Sequence, residues 1–294
     1  MPPLLVTGAS GQLGRRVLEL LLESKAGPIV AATRTPVKLE SFAKRGVDVR
    51  QADFDNAAAF SAALKGVERV LLISTDAVDR PGRRLEQHKK AIELIRASGT
   101  VKHVVYTSLA NPHPKSPISI ANDHRETEAA LKASGLGFTA LRNTMYVDLA
   151  VPTYAGAVKQ GQLVDARGQG RVSLITREDC ARAAAAALAS TFEGTRTLEV
   201  TGPQALSSAD VAALLAEVTE KPVTHVPLEP AALKVGMVQH GLPPPVADLL
   251  VSFDVAIAQG DLAHVSRAVE ELTGQPAQSM RDFFKANRAA LTGA

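Results

Sequence analysis

Thiol chemistry is nearly missing from this chain, which has one cysteine, Cys180, in 294 residues. That excludes an intrachain disulfide and a cysteine-rich metal site, and it suits a reducing compartment. A charge excess is missing too: 33 basic and 30 acidic residues leave a net charge of +3, and the basic residues are scattered along the sequence. Electrostatic binding to nucleic acid or to anionic lipid therefore has little support. No run approaches the roughly 20 apolar residues that span a bilayer. The start, MPPLLVTGASG, has no basic stretch before its apolar run and reaches glycine too soon for a signal peptide. The expectation is a cytoplasmic protein with no membrane and no nucleic-acid partner. Internal repeats and low-complexity segments are also absent.

With 46% hydrophobic and 21% charged residues, the chain can bury a substantial core. From Pro3 to Arg142, short β-branched runs alternate with stretches of helical length. PLLVTG, PIVAATR, VDVRQAD, RVLLIST, KHVVYTS and GFTALRN read as strands. QLGRRVLELLLESK, PVKLESFAKR, NAAAFSAALKG, RRLEQHKKAIELIRAS and HRETEAALKAS read as the helices between them. The fourth of these is rich in charge and reads as a solvated helix with a narrow buried stripe. Such alternation predicts an α/β fold, a doubly wound parallel sheet of Rossmann type with helices on both faces. After Asn143 the regularity fails. The expectation is a Rossmann domain over residues 1–144 and a smaller α+β substrate lobe over 145–294, some of whose strands return to the main sheet. Ser207 or Ser208 is the expected N-cap of the helix SSADVAALLAEVTEK.

LLVTGASGQLGRRV sets Gly8, Gly11 and Gly14 between the first strand and the first helix. Gly8 allows a tight turn, Gly11 lets the backbone approach a pyrophosphate, and Gly14 lets the helix lie close to the strand. Free N–H groups at the helix start then face the anion. At the end of the second strand a cofactor without a 2′-phosphate is usually met by a carboxylate. Here ATRTP presents Arg34, with Lys38 a turn later, which favours NADPH over NADH. An exposed loop arginine is the alternative. After the third strand, Asp53 stands where the adenine amino group is expected and Phe54 beside the ring. Asp53 could instead cap the next helix, although Asp55 is the better cap candidate.

These residues, together with VRQADFD, LLIS, YTSL, DHRETE, LRN and GLPPPVADLLVSFD in that order, resemble the NmrA-like group of atypical short-chain dehydrogenases/reductases. More closely, the chain is similar to the bacterial type-2 NAD(P)H:quinone oxidoreductases and the triphenylmethane-dye reductases. The resemblance implies NADPH as cofactor and direct hydride transfer to a quinone, without flavin. It implies that Gly8, Ser10, Gly11, Gln12 and Leu13 cradle the phosphates and that Arg34 holds the 2′-phosphate. Ile73, Ser74 and Thr75 would line the adenosine ribose side, and Thr107, Ser108 and Leu109 would run beneath the nicotinamide ribose. Leu141, Arg142 and Asn143 would support the nicotinamide end.

Short-chain dehydrogenases commonly use a Tyr-x-x-x-Lys pair on the helix after the fifth strand, the phenol protonating the carbonyl oxygen. Aligning the family glutamate on Glu128 puts His124 at the lysine position and Ile120 at the tyrosine position. Without the phenol, reduction of an unactivated ketone is disfavoured. A quinone, whose reduced anion is delocalised, does not require it. His124 is therefore a candidate ribose contact or proton relay, or else a partly exposed residue at the helix start. Asp123, Glu126 and Glu128 read as first-turn acids paired with Arg125. Asn143 is a candidate to bind the carboxamide or the acceptor oxygen, and Tyr146 and Met145 to flank a planar acceptor. Tyr106 reads as packed within its strand. His103 and His113 have no partners at metal-ligand spacing, so no metal is expected. Cys180 reads as a buried thiol, and no serine sits in a G-x-S-x-G elbow. Three readings remain: a quinone reductase, a dye or azo reductase, and a non-catalytic NADP-sensing regulator. The partner is a small-molecule acceptor, and a homodimer is left open.

Overall fold

The computed structural model describes residues 2–293. Its first strand, β1 (Leu4–Val6), is an unbroken buried apolar triplet, as a strand covered on both faces requires. The chain continues through α1 (Gln12–Glu23), β2 (Ile29–Thr33), a short 3-10 turn, α2 (Glu40–Ala43), β3 (Asp48–Gln51), α3 (Ala57–Ala63) and β4 (Arg69–Leu72). Then come α4 (Arg83–Ala97), β5 (His103–Leu109), α5 (Ala121–Ser134) and β6 (Gly137–Asn143). The predicted alternation is thus present. Helix α1 turns Leu13, Gly14, Val17, Leu18 and Leu21 inward at helical spacing. Helix α3 is capped by Asn56, whose side chain accepts from the Ala59 N–H, and not by Asp55 as the sequence suggested. Asp55 is engaged elsewhere, as described below.

Beyond β6 lie α6 (Val151–Gln160), β7 (Gln162–Asp165), β8 (Arg171–Val172), α7 (Arg177–Ala189) and β9 (Thr195–Val200). They are followed by β10 (Leu206–Ser207), α8 (Ser208–Thr219), β11 (Thr224–Pro227), α9 (Pro230–Gln239) and α10 (Pro244–Ala258). Helices α11 (Ala268–Thr273), α12 (Met280–Ala286) and α13 (Arg288–Thr292) complete the series. Ser207 caps α8 in a reciprocal capping box with Asp210.

The main sheet has the order β3-β2-β1-β4-β5-β6-β9, with parallel pairing from β3 through to β5. The order reverses direction between β1 and β4, the position at which open α/β sheets bind ligands. One face of the sheet carries Leu5, Val30, Val70, Leu72, Val104 and Tyr106 into a core with Phe60, Ile92, Ile95 and Leu131. Burying each such aliphatic side chain contributes about 1.5–3 kcal/mol, so this core holds the strand ends in fixed register.

The chain forms two compact units, and they are not divided at residue 144. The first takes the chain up to Leu109, then Asp123–Arg142 and Cys180–Leu198; the second takes Ala110–Asn122, Asn143–Asp179 and everything from Glu199 onward. Cys180–Leu198 belongs to the first unit because Arg69 on β4 donates to the carbonyls of Ala187, Leu188 and Phe192. The two units are of nearly equal length. The second is mainly helical, with the small strand pairs β10–β8 and β11–β7. Its interior holds the half-buried Arg167, whose Nε donates to Asp254 Oδ1 at 2.7 Å. Burial opposes the guanidinium charge, but Asp254, Tyr154 and Asp165 outweigh it and raise the pKa above the ordinary arginine value.

Candidate active site

Gly8 sits at φ +58°, a left-handed conformation that a side chain disfavours. At Gly14 the constraint is space: an added Cβ would lie 2.5 Å from Gly8 O and 2.8 Å from Ala9 Cα. Only glycine lets α1 start directly against the loop. Gly11 is the N-cap of α1; no side chain caps this helix, and its first turn has no acid. The leading N–H groups and the positive end of the dipole are thus left for an anion. Side chains fix the loop from both flanks. Thr7 Oγ1 donates to Leu71 O at 3.0 Å and accepts the Ile73 N–H at 2.9 Å, and Thr33 Oγ1 donates to Ser10 Oγ at 2.8 Å.

This loop opens one side of a cleft of about 430 Å³ within the first unit. Eleven of the residues expected to meet the cofactor line it: Gly8, Ser10, Gly11, Gln12, Leu13, Arg34, Asp53, Phe54, Ile73, Ser74 and Thr75. Lys38 lines it as well, and so do Thr7 and Gln87, which the sequence had not suggested. Arg34 and Lys38 are exposed, and among the described residues neither has an ion-pair partner. Two cations without ion-pair partners, in a cleft that a helix N-terminus also lines, fit a ligand that carries phosphates. Arg15 ties the two segments together, donating through Nε to Ser10 O at 3.1 Å and through Nη2 to Lys38 O.

The residues expected at the nicotinamide end do not line that cleft. Thr107 Oγ1 accepts the Ser74 N–H at 2.8 Å, which links β5 to the loop after β4. Glu128 accepts from Ser108 Oγ at 2.6 Å and from Arg142 Nε and Nη2 at 2.9 and 2.7 Å. Glu128 is thus not a solvated first-turn acid; one carboxylate fixes the polar side chains that end β5 and β6. Glu126 does pair with Arg125, at 3.0 Å. Leu109 and Leu141 are buried in the sheet. In the second unit Asn143 Nδ2 donates to the half-buried Tyr146 Oη at 2.8 Å. Asn143 is itself buried, and its Oδ1 has no hydrogen-bond partner.

His124 is neither at the surface nor poised to relay a proton. It is 3% exposed, with Nε2 at 2.8 Å from Arg84 Nη2 and Nδ1 at 2.9 Å from Tyr106 Oη. Arginine can only donate, so Nε2 accepts, and the single imidazole proton sits on Nδ1 and points at Tyr106. Burial first, then Arg84 and His88, holds the His124 pKa well below the ordinary histidine value. His88 is fixed by the same logic. Its Nε2 accepts the Thr75 N–H at 3.0 Å, so Nδ1 donates to Thr127 Oγ1 at 3.0 Å. Arg84 also donates to Thr75 O. One residue of the cleft wall therefore has both backbone groups held from α4. The narrow buried stripe expected of α4 is present, and it holds polar residues as well: Arg84, Gln87 and His88 are buried beside Ala91, Ile92 and Ile95. Their spacing of three and four residues continues the apolar stripe, and that periodicity was the available signal.

Asp165, Ser208 and His225 meet in the second unit, but Ser208 Oγ and His225 Nε2 both bond to Asp165, so the histidine does not face the serine. His103 is buried against Thr139 and His113 pairs with Asp261. Among the described residues no group of three or more His, Cys, Asp or Glu could hold a metal ion, and no helix is long and apolar enough to cross a membrane.

The chain is similar to known proteins in sequence and in fold. A family model described as NAD(P)H-binding matches residues 8–191. Quinone oxidoreductase 2 of Escherichia coli K12 is 37% identical over 287 residues, covering 96% of this chain and 99% of that protein. The crystal structure of an E. coli NADPH-dependent quinone oxidoreductase complexed with NADPH superposes with a TM-score of 0.90 at 36% identity, over 96% of this chain and 98% of that one. Citrobacter sp. triphenylmethane reductase complexed with NADP(H) gives a TM-score of 0.90 at 31% identity, over 96% and 99% of the two chains. With its glycine loop, uncapped helix and cleft, the chain belongs to the NAD(P)H-binding family, in the NmrA-like group of atypical short-chain dehydrogenases/reductases.

Proposed function

We propose that this chain is an NADPH-dependent reductase that passes hydride directly, without flavin, to quinones or related planar, electron-poor acceptors. The observation that carries the reading is the pairing of a dinucleotide cleft ending in unpaired Arg34 and Lys38 with an α5 region that has no phenol–lysine pair. Ile120 stands at the tyrosine position, and at the lysine position His124 is buried and neutral. The names of the quinone and dye reductases that resemble it point the same way.

Reduced nicotinamide, when bound, supplies the hydride. The protein's part is placement. The loop Gly8–Leu13 and the free N–H groups of α1 would hold the pyrophosphate, and Arg34 with Lys38 the 2′-phosphate. Thr75, clamped by Arg84 and His88, would set the ribose wall. Glu128 holds Ser108 and Arg142 where the nicotinamide end is expected, which confines it without any group there having to titrate. Asn143 would accept an amide N–H through Oδ1, Tyr146 fixing its other end. A delocalised quinol anion takes its proton from water, so no strong acid is needed. The same placement suits the triphenylmethane dyes of the Citrobacter relative.

The test is loss of reduced-nicotinamide absorbance with a simple benzoquinone, using NADPH and NADH side by side. Turnover with NADPH preferred is the expected result. Tight NADPH binding with no turnover of quinone or dye would replace this reading with a dinucleotide sensor.

A further inference from the structure

We propose that the segment Asp76–Gly82 is a gate on the dinucleotide cleft and that Arg83 is the strap that holds it closed, setting how fast the cofactor enters and leaves. The proposal rests on the dinucleotide reading above.

The chain between β4 and α4 is held unevenly. Ile73, Ser74, Thr75 and Asp76 line the cleft. The N–H groups of the first three are bound by Thr7, Thr107 and His88, and Arg84 holds the Thr75 carbonyl. Past Thr75 that anchoring stops. Asp76, Val78, Asp79, Arg80, Pro81 and Gly82 are exposed and Ala77 is half-buried, so no side chain of the segment reaches the core. Its backbone bonds are local, Ala77 N–H to Thr75 Oγ1 at 3.3 Å and Val78 N–H to Asp76 O at 2.8 Å. Gly82, at φ +79°, then turns the chain into α4. A surface segment with no buried side chain, running between two fixed ends, is the part of a structure that opens most readily.

What closes it is charge. Arg83, the first residue of α4, donates through Nη1 to Asp79 Oδ2 and through Nη2 to Asp55 Oδ2, both at 2.8 Å. Asp55 lies in the loop between β3 and α3, next to Asp53 and Phe54, which line the same cleft. One guanidinium therefore joins two loops of the cleft wall. Arg83 first, and then Gln87 Nε2 on the same oxygen at 2.9 Å, hold the Asp55 carboxyl below the usual carboxylate range. On the segment itself Arg80 adds a second tie, Nη2 to Glu86 Oε2 at 2.6 Å. Exposed ion pairs of this kind are individually weak. They are too weak to lock the segment, and strong enough to bias it toward the closed state, as a gate requires.

The strap is made without a ligand, so breaking it should ease entry and exit alike. In Arg83→Gln, stopped-flow fluorescence should show NADPH associating and dissociating each roughly two- to fivefold faster, the span of an exposed ion pair, with a dissociation constant within about twofold of wild type. Asp79→Asn, which leaves Arg83 on Asp55, should do the same. Hydrogen exchange on the protein without cofactor gives a separate readout: the amides of Ala77 and Val78 should exchange faster in both variants, and that of Thr75, held by His88, should not. Unchanged rates, or unchanged exchange at those two amides, overturn the proposal. Slower association with a weaker dissociation constant overturns it by making Arg83 a direct contact of the cofactor. Faster exchange at Thr75 overturns it by making the ion pairs part of the general stability of the unit. An unmodified protein that does not bind NADPH overturns the cofactor reading, and the gate with it.

Discussion

Replacing His124 separates a proton-carrying residue from a structural one, provided that the replacement respects the donor order. In His124→Ala, Arg84 loses an acceptor at 2.8 Å and Tyr106 loses a donor at 2.9 Å, both in a region closed to water. A hydrogen bond to a charged donor contributes about 1.5–3 kcal/mol and a neutral one about 1, and the vacated ring adds a cavity, so roughly 3–5 kcal/mol of stability should go. Arg84 also holds Thr75 O, so the KM for NADPH should rise several-fold while kcat changes little. His124→Gln keeps an oxygen for Arg84 and an N–H for Tyr106, and should restore most of the loss. The assay is urea unfolding of both variants beside steady-state kinetics across pH. A general acid–base residue contributes about 10²–10⁴ in rate. If folded His124→Gln loses kcat on that scale with unchanged KM, or if an acid limb of the wild-type profile vanishes in it, the positioning argument is wrong.

Arg34→Ala should weaken NADPH roughly tenfold, an exposed charge–phosphate contact being partly screened, and leave NADH nearly unchanged; equal effects in a binding titration would remove the 2′-phosphate assignment. Gly14→Ala should push α1 away from Gly8 and Ala9, costing about 1–3 kcal/mol of stability and at least tenfold in NADPH affinity. A thermal melt and a cofactor titration that both match wild type would contradict the close approach. Asp254→Ala strands the half-buried Arg167 and should cost about 3–5 kcal/mol in urea unfolding; less than 1 kcal/mol would mean that Asp165 already suffices. Burial, and secondarily nearby arginines, lowers His88 to about 3 and His103 to about 4, and His124 is also held well below 6.5. The unfolded chain binds these protons below about pH 6.5 and the folded chain does not. Their stabilisation is thus complete above 6.5 and falls as the medium is acidified, by about 4 kcal/mol per pH unit for three protons. Flat unfolding free energy between pH 6 and 4.5 would show that the imidazoles protonate in place.

Local pattern carried the phosphate end of the site. A glycine loop needs backbone shape and a helix start, and both are written in adjacent residues, so the spacing of Gly8, Gly11 and Gly14 was legible, while Ser10, Gln12 and Leu13 were suggested only by the family resemblance. The polar network was harder to see because its bonds join residues distant in sequence. Arg84 and His124 are 40 positions apart, and nothing local distinguishes a buried arginine from a solvated one. Glu128 was misread for the same reason, its partners being on strands before and after its helix. Asp55 looked like a helix cap because only the next residue, Asn56, competes for that position, and the competition is decided by Arg83 and Gln87. The second unit's borders were invisible, since the chain changes unit five times and no composition change marks most of the crossings.

Arg69 gives those crossings a meaning in time. A strand in the middle of the cofactor sheet carries a guanidinium whose acceptors are the carbonyls of Ala187, Leu188 and Phe192, more than a hundred residues later in the chain. As the polypeptide is made from its N-terminus, the nucleotide-binding half waits with that side chain unmatched until α7 has been synthesised. A fragment stopped after the sixth strand would contain every glycine of the loop and still lack the part that finishes the sheet's edge. The glycine loop is encoded early, and the sheet that carries it is completed late.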